Sequence, residues 1–133
     1  MSYSNTPTLS YLPMLVIDRN GAAATQLADR LRHSGFVADI AISCRAAQAA
    51  AHARYYGSMI FVGDLTLPAD QACLGELRKA STRTWIIVIS STVPPEAQKG
   101  IVRGDADALL IAPFSMQDLI SRLSAFSRRS RPP

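Results

Sequence analysis

Cysteine is scarce in this chain: Cys44 and Cys73 are the only two in 133 residues, and neither belongs to a CxxC pair. That spacing, with no histidine at ligand-motif distance, speaks against a zinc site, and a reduced, cytoplasmic setting is the expectation. Histidine is equally sparse. His33 and His52 fall in helical segments with no Ser or Cys partner at motif spacing, so surface positions are expected and a catalytic dyad is not. Long apolar runs are missing too. None approaches bilayer length, and the opening MSYSNTPTLSYLP lacks a basic n-region and a long apolar h-region, so a soluble chain is expected. GxGxxG, GxxxxGK[ST] and GxSxG are all absent, which removes the motifs behind the nucleotide-binding and hydrolase uses of α/β architectures.

What is present is globular in composition, with 48% apolar and 18% charged residues. A chain of this size builds one core, with neither the high charge nor the low hydrophobicity of disorder. The expected organisation is a flexible tail over 1–12, a domain over 13–128 and a tail or linker over 129–133. The net charge of +4 is weighted by Arg122, Arg128, Arg129 and Arg131 near the C-terminus. No aromatics are interleaved there, so a solvated helix end is preferred over a nucleic-acid surface.

Five short apolar runs alternate with helical periodicity: Met14 to Ile17, Val37 to Ile42, Met59 to Val62, Trp85 to Ile89 and Ala108 to Ile111. Runs apolar on successive residues suit strands covered on both faces, and the first, third and fourth read as central. Asn20 can cap a first helix carrying Ala24, Leu27, Ala28 and Leu31, ending at Gly35. Ser43 can cap an alanine-rich second helix to about Tyr56, a third spans about Ala69 to Lys79, and a fourth spans about Pro95 to Arg103. Ser115 and Asp118 make a capping-box-like start to the last helix, whose stripe is Met116, Leu119, Ile120, Leu123 and Phe126. Trp85 reads as a packing residue.

This alternation predicts an α/β fold of the flavodoxin-like kind: a doubly wound, five-stranded parallel sheet with helices on both faces. Function in such sheets collects at the carboxyl ends of the strands. Those ends carry Asp18, Asp64, Ser90 and Ala112.

The strings LVIDRN and IFVGDLTLP, the pair SS after WIIVI, and APFS before the last helix together resemble a response-regulator receiver domain over about Pro13 to Arg128. The resemblance implies that Asp64 matches the phosphoacceptor and Asp18 the first of two metal-binding acids. It also implies that Ser90 matches the switch hydroxyl and Pro113 the proline after the family's lysine. Three positions depart from that pattern. Arg19 stands in place of the second acid, Ala112 in place of the lysine, and Leu109 in place of the aromatic residue that commonly pairs with the hydroxyl.

Chemistry makes the departures weigh heavily. A carboxylate attacking a phosphoryl group brings negative charges together, so cations must neutralise the developing charge. Magnesium prefers an octahedron of oxygens including one or two carboxylates; Asp18 and Asp64 supply two, while Arg19 adds a positive charge. Weak or absent magnesium binding is therefore expected. Arg19 either acts as a built-in cation in the pocket or extends into solvent. The plainer readings are that Asp18 and Asp64 end buried strands as turn residues and that the Ser90 hydroxyl satisfies a backbone group.

The expected function is a non-enzymatic receiver-like module of a two-component phosphorelay, acting through protein contacts with little or no aspartyl phosphorylation. Its partner is another protein, a histidine kinase or a second copy of the chain. The family's surface, on the fourth and fifth helices with strand five, holds Arg103, Asp105, Asp107 and Arg122. The rivals are a working phosphoacceptor modified at Asp64 by a histidine kinase, and a basic adaptor touching nucleic acid through its C-terminal arginines.

Overall fold

In a computed structural model describing residues 12–92 and 105–127, every strand is parallel to its neighbours. The strands are β1 (Met14–Ile17), β2 (Ala38–Ala41), β3 (Ser58–Gly63), β4 (Trp85–Ser90) and β5 (Ala108–Ile111), in the order β2-β1-β3-β4-β5. The helices are α1 (Gly21–His33), α2 (Cys44–Ala53), α3 (Pro68–Ala80) and α4 (Met116–Ser127). The chain leaves β1 toward β2 and returns on the other side at β3. This reversal puts the carboxyl ends of β1 and β3 side by side, where a crevice forms in open α/β sheets.

Side chains alternate across each strand and so feed two cores. One layer holds Met14, Val16, Ile60, Ile87 and Leu110 with α1 and with Leu119, Leu123 and Phe126 of α4. The other holds Leu15, Ile17, Met59, Phe61 and Val88 with Ala47 of α2 and Leu74 and Leu77 of α3. The expected interior strands β1, β3 and β4 are indeed central. Trp85 packs as expected, stacked on Phe126 with ring centroids 4.3 Å apart.

Local signals set the helix ends. The Asn20 side chain accepts from the Ala23 N–H, the Ser43 hydroxyl from the Ala46 N–H, and the Ser115 hydroxyl from the Asp118 N–H. Gly35 takes φ +97°, a left-handed turn after α1 that glycine adopts without strain. Strand β2 is shorter than the apolar run by one residue at each end, and Val37 and Ile42 are exposed. The second helix also stops three residues early, at Ala53, because Arg54 and Tyr56 turn toward strand β2. There the Arg54 guanidinium and the Tyr56 hydroxyl both donate to Asp39 Oδ2, at 2.9 and 2.7 Å. Desolvation, and then the bond to Asp39, push the Tyr56 pKa up to about 12.

Two expectations are corrected. Cys44 and Cys73 are not separate free thiols: they form a disulfide with Cα atoms 5.9 Å apart. They are 29 residues apart in sequence, but α2 and α3 pack on the same side of the sheet and bring them together. Asp107 is not a surface charge. It is half-buried against Arg78, whose Nη2 donates to its Oδ2 at 2.7 Å, and the same oxygen accepts from the Ile86 N–H. The fourth helical segment with Arg103, the arginines from Arg128 onward, and the two expected tails apart from Leu12 lie outside the described residues.

Candidate functional site

The register Ile17↔Phe61 between β1 and β3, with Gly63↔Ser90 between β3 and β4, places Asp18, Asp64 and Ser90 at one edge of the sheet. Strands β1 and β4 are buried up to that edge, the last two residues of β3 are half-buried, and each exits into a turn. Asp18 Oδ1 accepts from the Asn20 N–H at 2.9 Å, closing a turn at the start of α1. Asp64 does likewise: its Oδ1 accepts from both the backbone N–H and the hydroxyl of Thr66, at 2.9 and 2.5 Å. These two bonds, the hydroxyl's first, hold the Asp64 carboxyl below its usual pKa of 3.8.

The Ser90 hydroxyl donates to the Thr92 carbonyl at 2.7 Å and accepts from the Leu65 N–H at 3.3 Å, so it ties the turn after β3 to the end of β4. At the position of the family's lysine, Ala112 offers only a methyl group packed on the α1–α4 core, while its N–H bonds to the Ser90 carbonyl. Leu109 packs on the opposite core layer.

Arg19 combines features of both expected courses, bordering the pocket while its side chain stays mostly in solvent. Its guanidinium donates to Asp70 Oδ1, although Arg19 is 61% exposed and Asp70 only 3%. The second Asp70 oxygen accepts from the Asp64 N–H at 2.8 Å. Asp70 thus neutralises the arginine and fixes the backbone of the candidate acceptor at once. Gly63 makes room for this: a Cβ there would lie 2.9 Å from Asp70 Oδ2 and 2.7 Å from Phe61 Cε1.

Neither Asp70 nor Thr66 was singled out by the sequence motifs. The available signal for Asp70 was an acid in the first turn of a helix starting at Pro68. Such acids are common for the helix dipole alone, which hides the role.

The donor set does not fit a divalent cation. Arg19 stands where the resemblance implies an acidic ligand, the buried carboxylate beside it is occupied by that arginine, and among the described residues no three acids, histidines or cysteines converge. Beside the pair, a cavity of about 20 Å³ is bordered by Arg19, Asp70, Cys44 and Cys73. It has room for about one water molecule.

No family model matches the chain, and no curated protein matches it by sequence. Solved structures do match. The receiver domain of a Francisella response regulator superposes with a TM-score of 0.76 at 22% identity, covering 89% of this chain and 98% of that one. A CheY-like response regulator receiver domain protein from Methanospirillum hungatei gives 0.79 at 18% identity, over 88% and 94%. A Burkholderia pseudomallei response regulator, solved with a phosphorylated aspartic acid, a calcium ion and citrate, gives 0.75 at 21% identity, over 88% and 69%. The chain has the CheY-like receiver fold. Among the described residues, no helix is long and apolar enough to cross a membrane.

Proposed function

We propose that the chain is a cytoplasmic, non-enzymatic receiver-like signalling module that works through protein contacts, with phosphoryl transfer to Asp64 slow or absent. The observation that carries this reading is the Arg19–Asp70 pair. The arginine occupying a metal-ligand position is anchored on a buried acid, and Ala112 supplies no cation from the other side. Without two such cations the charge that builds up during attack on a phosphoryl group goes largely uncompensated. The proposed domain spans 13–128, with tails over 1–12 and 129–133. Its partner is a protein, whether a histidine kinase, another signalling protein or a second copy. The side of β5 and α4 that shows Ile111 and Arg122 to solvent is the proposed contact face.

One observation favours the alternative of a working phosphoacceptor. The Asp64 carboxyl, with its lowered pKa, is ionised and part-exposed at the sheet edge, as a nucleophile must be. Incubation with acetyl phosphate and magnesium, read by intact mass and by loss of labelling in Asp64→Asn, separates the two. Rapid labelling of the unmodified chain at Asp64 would replace the contact-based reading.

A further inference from the structure

Two cysteines border the same small cavity as Arg19 and Asp70, and as residues they are unequally exposed. Cys44 opens α2 and is half-buried, whereas Cys73, one turn into α3, is 5% exposed. Cys73 and Asp70 are three residues apart on α3 and so share a helix face. The start of α3 has no capping side chain: Leu67 occupies the N-cap without a side-chain bond. Its first turns are held instead by Asp70 on the Asp64 N–H, by Gln71 Nε2 on the Leu65 carbonyl at 2.6 Å, and by the Cys44–Cys73 bridge to α2.

We propose that Cys44–Cys73 is a thiol-exchange site through which a small cellular thiol of the glutathione class controls the Arg19–Asp70 pair. The thiolate of the small thiol attacks Cys44 Sγ, on the more exposed of the two residues. A new S–S bond forms there, the Cys44–Cys73 bond breaks, and Cys73 leaves as a thiolate that takes a proton from solvent. A second small thiolate attacks the outer sulfur of the mixed disulfide and releases Cys44 as a thiol. One protein disulfide and two small thiols thereby become two protein thiols and one small-molecule disulfide: the protein is reduced by two electrons and the small thiol oxidised. Loss of the bridge frees the uncapped start of α3, which carries Asp70, from α2.

This inference stands on the thiols and needs no phosphoryl transfer, so it can fail while the signalling reading holds, and the reverse. The test treats the oxidised full chain, under native conditions, with millimolar reduced glutathione. Cysteine alkylation, peptide mapping of the acid-quenched adduct and NMR of the Asp64 amide and the Arg19 guanidinium are then read. Both cysteines should become alkylatable, the trapped adduct should sit on Cys44, and the Asp64 and Arg19 signals should shift. The Trp85 indole, in the opposite core layer, should not. As an independent arm with oxidised glutathione, Cys73→Ser, which keeps Cys44, should take up the adduct at least about tenfold faster than Cys44→Ser, which keeps the buried Cys73. A bridge that opens only on denaturation, an adduct on Cys73, equal rates for the two variants, or reduction that leaves Asp64 and Arg19 unmoved would each overturn the proposal.

Discussion

Asp70 binds Arg19 across 51 positions of sequence, and the acid is buried while the arginine is mostly in water. An exposed arginine contributes little Coulomb energy to such a pair, because solvent screens it. The larger contribution of Asp70 is local. Its other oxygen is the acceptor for the Asp64 N–H. Asp70→Asn keeps an acceptor for that group and should cost less than Asp70→Ala, which leaves it unpaired at about 1–3 kcal/mol. Urea unfolding of both variants measures the order, and equal costs would show that the ion pair, not the backbone bond, dominates.

Gly63→Ala should destabilise the fold through the same contact. The added methyl would meet the Asp70 carboxylate and the Phe61 ring, and the flexible ends must give way or the strand must shift. Overpacking of this kind costs about 1–3 kcal/mol. Thermal unfolding should show it, with faster hydrogen exchange at the Asp64 amide; an unchanged amide would mean that Asp70 keeps its place.

Removing one donor should move Asp64 in a defined direction. Thr66→Ala deletes the hydroxyl bond, the largest cause of the lowered pKa, and leaves the backbone bond in place. The Asp64 pKa should therefore rise toward 3.8 without passing it. A carboxyl-carbon NMR titration reads this directly. Since the folded-state value lies below the unfolded one, the stabilisation from Asp64 is present above the unfolded pKa and is lost as pH falls through the folded one. The Thr66→Ala variant should lose less stability over that acid range than the parent.

Tyr56 provides the opposite sign at the alkaline end. Its pKa is raised from 10.0 to about 12, so the protonated phenol is the form the fold prefers. The associated stability is complete below the unfolded value and declines as pH climbs from there through the folded value. Tyr56→Phe should be less stable near neutrality, lacking the bond to Asp39, and should show a shallower alkaline decline. A parallel decline in the two proteins would assign the alkaline loss to other groups.

Introducing the two groups that the receiver pattern implies should be strongly non-additive. Arg19→Asp should raise magnesium affinity, seen by calorimetry, while lowering metal-free stability, since the new acid faces an Asp70 that has lost its cation. Ala112→Lys alone should do little for labelling. Together the two changes should raise acetyl-phosphate labelling of Asp64 well beyond the product of the single effects, because metal and lysine neutralise different oxygens of one transferring group. Tight magnesium binding by the unmodified chain would show that Arg19 leaves Asp70 when metal arrives.

The layout of the sheet was legible in the sequence because burial on both faces writes itself as consecutive apolar residues, as in Met14–Ile17 and Ile86–Ile89. Capping is equally local, so Asn20, Ser43 and Ser115 announced their helices. Asp18, Asp64 and Ser90 could be placed at one edge because each directly follows or ends such a run. The partners of these residues could not be read in the same way. Whether Arg19 meets Asp70, whether Cys44 meets Cys73, and whether Asp107 pairs with Arg78 depend on which helices share a face of the sheet. That is a property of the winding: α2 and α3 both pack on the side lined by Leu15 and Phe61, and their first turns converge beside the β1–β3 crevice. Composition and periodicity fix which residues must be buried. Only the tertiary arrangement decides which charge or sulfur lies within a few ångströms of which, and pairing energies fall off over that same short distance.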